Sequence, residues 1–317
     1  MNDVVDFAKD DAGGDGGTEV VRQQSWPVDG PAELELTLDV GRIRVHLDEQ
    51  VGGNEVRVEV RHDPSAGNSW SQGLSGIINW LGGATGGSGG GGDAGELAAQ
   101  AVRAAEISWS ETARRLVVRS SEELPLRVVP LAVTVSAPAG SRLAARTGAG
   151  EVTVTGRAGW ARVKTGSGRI AVGAVDGDAD AATGSGDIEL GPIGGRAKVR
   201  TGSGTVSVAA VAAPSEIKAS SGDVRVGEVA GDLGVRTGSG DVTIADARSG
   251  RVELTSGSGA LRIGVHPGVG AELDLSCGSG RARSELEVTT VAPEHAPALH
   301  VSGRTGSGDV LVTRAAA

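Results

Sequence analysis

"RTGSGDV", residues 236–242, returns letter for letter at 304–310. Near-copies surround it: "KTGSGRI" from Lys164, "ATGSGDI" from Ala182 and "RTGSGTV" from Arg200. With the Thr of each phrase as marker, the positions are Thr147, Thr165, Thr183, Thr201, Ala219, Thr237, Ser256, Cys277 and Thr305. The first five intervals between markers are all eighteen; the last three are nineteen, twenty-one and twenty-eight. Fixed self-similarity of this kind marks a repeat architecture.

Each period carries two alternating apolar sets. They are Val152/Val154 then Ala161/Val163, Ile170/Val172 then Asp180/Ala182, and Ile188/Leu190 then Ala197/Val199. Further on come Val224/Val226 then Leu233/Val235, and Val242/Ile244 then Val252/Leu254. Asp180 breaks the apolar rule. Alternation with period two is a strand signal, and Gly clusters punctuate strands. A period this short, with repeated Gly-rich breaks, leaves no room for a helix pair. A β-hairpin meander has no reason to hold its length constant. In a solenoid each coil must match the perimeter of the one below. The chain therefore reads as all-β, a parallel β-helix whose coil length equals the marker interval, right-handed by the rule for parallel crossovers.

Each copy of the phrase is then the same corner of the same coil. Gly adopts positive φ and lets backbones pass closely; Ser and Asp hydrogen-bond nearby backbone in bends. The turn glycines are Gly166, Gly168, Gly184, Gly186, Gly202, Gly204, Gly238, Gly240, Gly306 and Gly308. Gly184, Gly202 and Gly238 are expected to hold conformations closed to β-branched residues. After each corner a strand restarts inward, which predicts one ladder through Val152, Ile170, Ile188, Val206, Val224, Val242, Leu261 and Val310.

Four segments follow. Residues 1–25 are polar and acidic and read as a disordered tail. Residues 26–63 and 106–140 hold less regular strands that cap the first coil, as terminal repeats do. Between them, 64–105 is a Gly/Trp-rich flexible insertion ending in a short helix, "ELAAQAVRAAE". Residues 141–317 are the repeats. The last coil stops at "DVLVTRAAA", which predicts an open strand edge at Val310 and Val312. That edge would pair end to end with a second copy through 305–313, unless Val288, Val291, Pro293 and Pro297 fold over it as a lid.

The composition bounds the function. Five Trp, one Phe and no Tyr leave a core of Val, Ile, Leu and Ala, which suits narrow β-structure. A net charge of −10 disfavours nucleic acid and anionic lipid. The single Cys277 allows neither a disulfide framework nor a thiolate zinc site within one chain. The first residues lack the basic start and apolar run of a signal peptide, and no stretch is apolar for the roughly 18 residues that span a bilayer. A cytoplasmic location is expected.

No catalytic pattern emerges. His46, His62, His266, His295 and His300 are scattered. No helix follows the Gly-Ser-Gly corners, so they lack the terminus that binds phosphate. The position after the second Gly runs Glu151, Arg169, Asp187, Thr205, Asp223, Asp241, Ala260, Arg281 and Asp309, too irregular for the calcium nonapeptide. No cofactor, metal or catalytic residue is predicted. Two surface features stand out. One is a basic column before the marker: Arg146, Lys164, Arg200, Lys218, Arg236 and Arg304. It is either a solvated face or a stripe for an anionic partner. The other is the apolar segment with Trp70, Ile77, Ile78, Trp80 and Leu81. It either packs on the solenoid's flank or docks on a partner, with peripheral membrane contact at most.

The run "RTGAGEVTV … KTGSGRIAV … ATGSGDIEL … RTGSGDVTI", preceded by "LAVTVSAPAGSRLAART", resembles the bacterial DUF4097 family of β-strand-repeat proteins, which also carries an adhesin label. The resemblance covers about 30–62 and 107–317. It implies a right-handed parallel β-helix without established catalysis, with some members accompanying cell-envelope stress systems. It supplies no site residues. The expected function is a non-enzymatic binding or scaffolding module with a protein partner or self-association. The alternatives are an exported adhesin and a polysaccharide-active β-helix enzyme. Val224→Asp would bury an unpaired charge amid the ladder, so it should unfold the repeats; a melting curve like the parent's would show the register to be wrong.

Overall fold

The computed structural model describes residues 20–48, 54–66, 92–287 and 297–316. The chain divides into two compact units, Met1–Gly156 and Arg157–Ala317. The segment Trp70–Leu81 and the lid residues Val288, Val291 and Pro293 lie outside the described residues.

The first unit is built on β2 (Glu33–Leu47), a strand long enough to serve two sheets. Gly41 divides it at φ +125°, where a Cβ would lie 2.0 Å from the Leu131 carbonyl oxygen. Leu34, Leu36 and Leu38 fill the core before that bend, and Ile43, Val45 and Leu47 after it. The first half pairs in parallel with β5 (Arg115–Arg119) and β7 (Arg142–Ala149). The second half pairs in parallel with β6 (Leu131–Ala137) and β8 (Val152–Ala158). Antiparallel strands then close the unit. β3 (Glu55–His62) lies on β6, β1 (Val21–Pro27) on β3, and β4 (Glu106–Ser110) on β5.

Residues 21–25, expected in the disordered tail, are thus the first part of β1. Ladder pairing with β3 supplies the order that their polar composition does not suggest. Trp26 on β1 stacks on Trp109 of β4, ring centroids 5.7 Å apart and planes 16° from parallel. Helix α1 (Gly92–Ala104) buries Ala98, Ala101 and Val102. Arg22 Nη1 donates to the carbonyls of Val102, Arg103 and Ala105 at 3.2, 2.9 and 2.6 Å. A cation there satisfies orphan carbonyls and opposes the negative end of the helix dipole.

The second unit is a stack of parallel coils, each contributing one strand to each of two sheets. One sheet, in spatial order, consists of β9 (Trp160–Ser167), β11 (Ala179–Ser185), β13 (Ala197–Ser203), β15 (Ser215–Ser221), β17 (Leu233–Ser239), β19 (Gly250–Ser258), β23 (Leu299–Ser307) and β21 (Ala271–Ser279). The other consists of β10 (Ile170–Val175), β12 (Ile188–Ile193), β14 (Val206–Val211), β16 (Val224–Val229), β18 (Val242–Ala247), β20 (Leu261–Val265), β24 (Val310–Arg314) and β22 (Ala282–Ser284). Ile170, Ile188, Val206, Val224, Val242, Leu261 and Val310 are consecutive neighbours in one inward column, all fully buried. Val152 of the ladder belongs to the first unit, where it pairs with Ile43.

One coil is shifted from the expected alternation. Ala179 and Ala181 face inward, while Asp180 and Ala182 face out. Asp180 Oδ2 then meets Arg162 Nε at 3.4 Å. Alanine fits either face, so this coil's register is set by its neighbours, Ala161 and Ala197.

The larger difference is spatial order at the C-terminal end. The last coil in sequence, β23 and β24, lies between the β19/β20 coil and the β21/β22 coil. Val310 and Val312 are therefore fully buried between Leu261 and Ala282 and between Ile263 and Ser284. The expected open edge at 305–313 does not exist; the edge belongs to β21 and β22. Side-chain quality explains the order. Leu299, Val301, Val310 and Val312 are stronger hydrophobes than their counterparts Ala271, Leu273, Ala282 and Ser284 as a set. Fully burying a Val or Leu stabilises by about 1.5–3 kcal/mol, so the richer coil belongs inside. The two longest marker intervals, on either side of Cys277, give chain enough to step outward one level and return.

Each letter of the phrase now has a role. Thr hydroxyls donate to the carbonyl of the Ser two residues on: Thr165 to Ser167 at 2.9 Å, Thr183 to Ser185 and Thr201 to Ser203 at 3.0 Å. The first Gly is needed for close approach, since a Cβ at Gly238 would lie 2.6 Å from the Ser220 carbonyl oxygen. The demand for positive φ, expected at Gly184, Gly202 and Gly238, falls instead on the second Gly; Gly240 has φ +146°. The Asp carboxylate bridges coils. Asp187 Oδ1 accepts from Thr205 N at 2.7 Å, Asp223 from Asp241 N at 3.0 Å, Asp241 from Ala260 N at 2.8 Å and Asp309 from Arg281 N at 2.9 Å. That last bond follows the spatial order and not the sequence order.

Gly240→Ala should cost at least about 2 kcal/mol, because left-handed strain adds to a backbone clash. Gly268 has φ +84° but nothing within 4 Å of a Cβ, so Gly268→Ala should cost only about 1 kcal/mol. Equal denaturant midpoints for the two variants would refute the close-approach account. At Asp241 the Ala260 N–H, followed against burial by Arg262, holds the carboxyl below its ordinary pKa. A depressed folded-state pKa stabilises above the unfolded value and loses its effect as pH falls through the folded one. Asp241→Ala should lower stability by about 1 kcal/mol at neutral pH. The gap from the parent should close on acidification below the usual aspartate range; a pH-independent gap in melting temperature would contradict this.

Candidate binding face

In-register pairing turns each repeat position into a column. On the sheet that begins with β9, the outward column before the marker runs Lys164, Ala182, Arg200, Lys218, Arg236, Thr255, Arg304 and Ser276. Arg200, Lys218 and Arg236 occupy three consecutive coils, and neighbouring strands lie about 4.8 Å apart. Lys164 is separated from them by Ala182, and Arg304 by Thr255. Arg146, the sixth expected member, lies in the first unit, paired with Thr37 on β2.

The neighbouring outward column is mixed: Arg162, Asp180, Lys198, Glu216, Gly234, Glu253, Ser302 and Asp274. It partly compensates the basic one. Lys218 Nζ lies 2.6 Å from Glu216 Oε1, and Arg304 Nη2 lies 3.2 Å from Asp274 Oδ2. Lys218 is the main cause of a lowered Glu216 pKa, with Arg200 and Lys198 contributing at longer range. Beyond the basic column lies the corner, where Ser203, Ser221 and Ser239 form a ladder of exposed hydroxyls.

The arrangement presents cations on a rigid lattice, with no bulky side chain between them and the corner. Arg200 and Arg236 stand exposed on either side of Lys218. A guanidinium presents a fork of donors that matches a carboxylate or phosphate. No group of three or more His, Cys, Asp or Glu among the described residues could hold a metal ion. His266 Nδ1 lies 3.0 Å from Asp246, His300 Nδ1 2.9 Å from Glu272, and His46 Nδ1 2.9 Å from Thr155 Oγ1. Each is a local surface contact. No described helix is long and apolar enough to cross a membrane.

The sequence does not reveal the edge formed by β21 and β22, because spatial and sequence orders differ there. The long final marker interval, from Cys277 to Thr305, is the available signal.

A parallel-coil repeat with its apolar columns inside and a charged lattice outside defines the second unit as a β-solenoid. The Toastrack DUF4097 family matches residues 131–314, more than half of the chain, and the chain belongs to this family. Solved structures match the chain at low identity. A candidate adhesin from Bacteroides fragilis NCTC 9343 matches with 9% identity and a TM-score of 0.44, covering 92% of this chain and 96% of its own. A candidate adhesin from Parabacteroides distasonis ATCC 8503 matches with 8% identity and a TM-score of 0.31, over 94% and 98%. A candidate cell adhesion protein from Clostridium sporogenes ATCC 15579 matches with 11% identity and a TM-score of 0.23, over 93% and 99%. No curated protein matches the chain.

Proposed function

We propose that the protein is a non-enzymatic binding module that presents the basic face of its solenoid to an anionic partner. The observation behind this reading is the in-register triplet Arg200, Lys218 and Arg236 on a chain whose net charge is −10. Such a chain repels polyanions at long range, so attraction must come from a local lattice of cations. Rigid β-backbone fixes their spacing before binding, which lowers the ordering cost of association. Glu216 tempers the site by holding Lys218, leaving Arg200 and Arg236 as the main contacts.

Polyglutamate serves as a defined probe. The parent should bind it weakly, with affinity falling as salt rises. Arg200→Glu/Arg236→Glu should bind at least about tenfold less, two charge reversals costing several kcal/mol in a complementary contact. Glu216→Gln should bind more tightly by releasing Lys218. Equal affinities across the three proteins would overturn the assignment of this face. Cell fractionation tests the expected cytoplasmic location against the exported-adhesin alternative.

A further inference from the structure

The end coil of the second unit leaves two strand edges open. β21 pairs with β23, and β22 pairs with β24; among the described residues no strand pairs with the far side of either. Leu273, Leu275 and Cys277 face inward but are only half-buried, and Ala282 and Ser284 are exposed. Their counterparts Val301, Thr305, Val310 and Val312 in the adjacent coil are buried. Leu275 packs against Gly303, where a Cβ would lie 3.2 Å from Leu275 Cδ2.

The edge sequence is self-complementary. Residues 281–287 read Arg-Ala-Arg-Ser-Glu-Leu-Glu, and reversing the direction exchanges every charge for its opposite. The side chains of Arg281, Arg283 and Glu285 are exposed and form no ion pair among the described residues. Glu287 lies 3.5 Å from Arg314. Glu285 N donates to Val312 O at 2.9 Å, so ladder pairing with β24 extends to that residue. Laid antiparallel on its own copy about Ser284, this segment sets Arg283 opposite Glu285, with Arg281 and Glu287 flanking. Outward residues meet outward residues, and Ala282 meets Leu286 once the bend at Leu286, whose N–H donates to Ser284 Oγ at 3.3 Å, straightens. An antiparallel two-fold contact satisfies open N–H and C=O groups on both chains at once. On β21 the outward acids are already engaged, Glu272 with His300 and Asp274 with Arg304.

We infer that the occupant of this edge is a second copy of the same chain, joined head to head through β21 and β22 in an isologous dimer. Open edges are usually blunted by charge. Here the two arginines precede the two glutamates, so an inverted copy meets an opposite charge at each position. This edge is separate from the Arg200, Lys218 and Arg236 triplet and does not depend on its role.

The full chain should show twice its 31.6-kDa mass in light scattering and sedimentation equilibrium. Arg283→Glu and Glu285→Arg each place like charges opposite one another and should raise the dissociation constant at least about tenfold. The double variant Arg283→Glu/Glu285→Arg should recover the dimer. The two single variants, mixed one to one, should form heterodimers. Below the parent's dissociation constant, melting curves should match the parent's, since both side chains are exposed. A monomeric parent at high concentration overturns the inference. So does a single variant that stays dimeric, or a double variant that stays monomeric.

Discussion

Everything in the second unit follows from stacking one coil on another in register. Parallel strands about 4.8 Å apart bring each residue against its equivalent one repeat away. At the corner this leaves no room for a Cβ: at Gly186, Gly204 and Gly240 it would lie 2.2, 2.1 and 2.2 Å from the carbonyl oxygen of the equivalent glycine one coil back. The same closeness lets Asp241 reach the Ala260 amide of the next coil. The corners thus require glycine for clearance, and those that carry Asp187, Asp223, Asp241 or Asp309 use the carboxylate for cohesion. At Thr165, Thr183 and Thr201 the hydroxyl closes the corner from inside by satisfying a carbonyl that has turned out of the ladder. The perimeter stays constant from Thr147 to Thr237 because an insertion or deletion within a strand would turn its inward side chains out; the extra residue between Thr237 and Ser256 leaves the Asp241–Ala260 contact in place.

What the sequence made legible, and what it did not, follows from this constraint. Large aliphatics at Ile188, Val206, Val224 and Val242 declare their face, since only the interior accepts them. Ala179 through Ala182 do not, because alanine is indifferent to burial at this scale, and that coil reads one residue out of step. Glycines are recognisable as corner residues, but sequence does not separate a glycine needed for φ from one needed for clearance. Arg22 on the end of α1 and Trp26 on Trp109 join residues about eighty positions apart. No local pattern announces such contacts. The basic column is visible from the repeat alone; its partial neutralisation by Glu216 and Asp274 emerges only from side-chain geometry.

The inverted order of the last two coils shows where periodicity misleads. A repeat specifies the shape of each coil but says little about which coil sits outermost. That choice is energetic, and the lengthened intervals on either side of Cys277 permit it. With Ala282, Ser284 and Cys277 at the end, the exposed columns lose little by staying wet. With Val310, Val312 and Val301 there, several more apolar side chains would face water, each costing on the order of 1 kcal/mol or more. Gly303 fits the same logic: it leaves space between Leu254 and Leu275 that a larger residue would fill with strain.

The two units treat their outer strands differently, and the difference sets what each can bind. In the first, antiparallel β1 and β4 carry stacked tryptophans, and α1 is tied down by Arg22. There the two rings cover part of each other and stay half-buried. In the second, the outer strands β21 and β22 are poor in large hydrophobes and rich in charge. Apolar burial alone would give such an end little affinity. Contact there must come from backbone hydrogen bonds and the Arg283/Glu285 arrangement, both directional and weak in net terms. An end of this kind selects by register, since a slip of one residue sets outward charges against inward positions. It also releases readily, since the edge groups return to water at small cost.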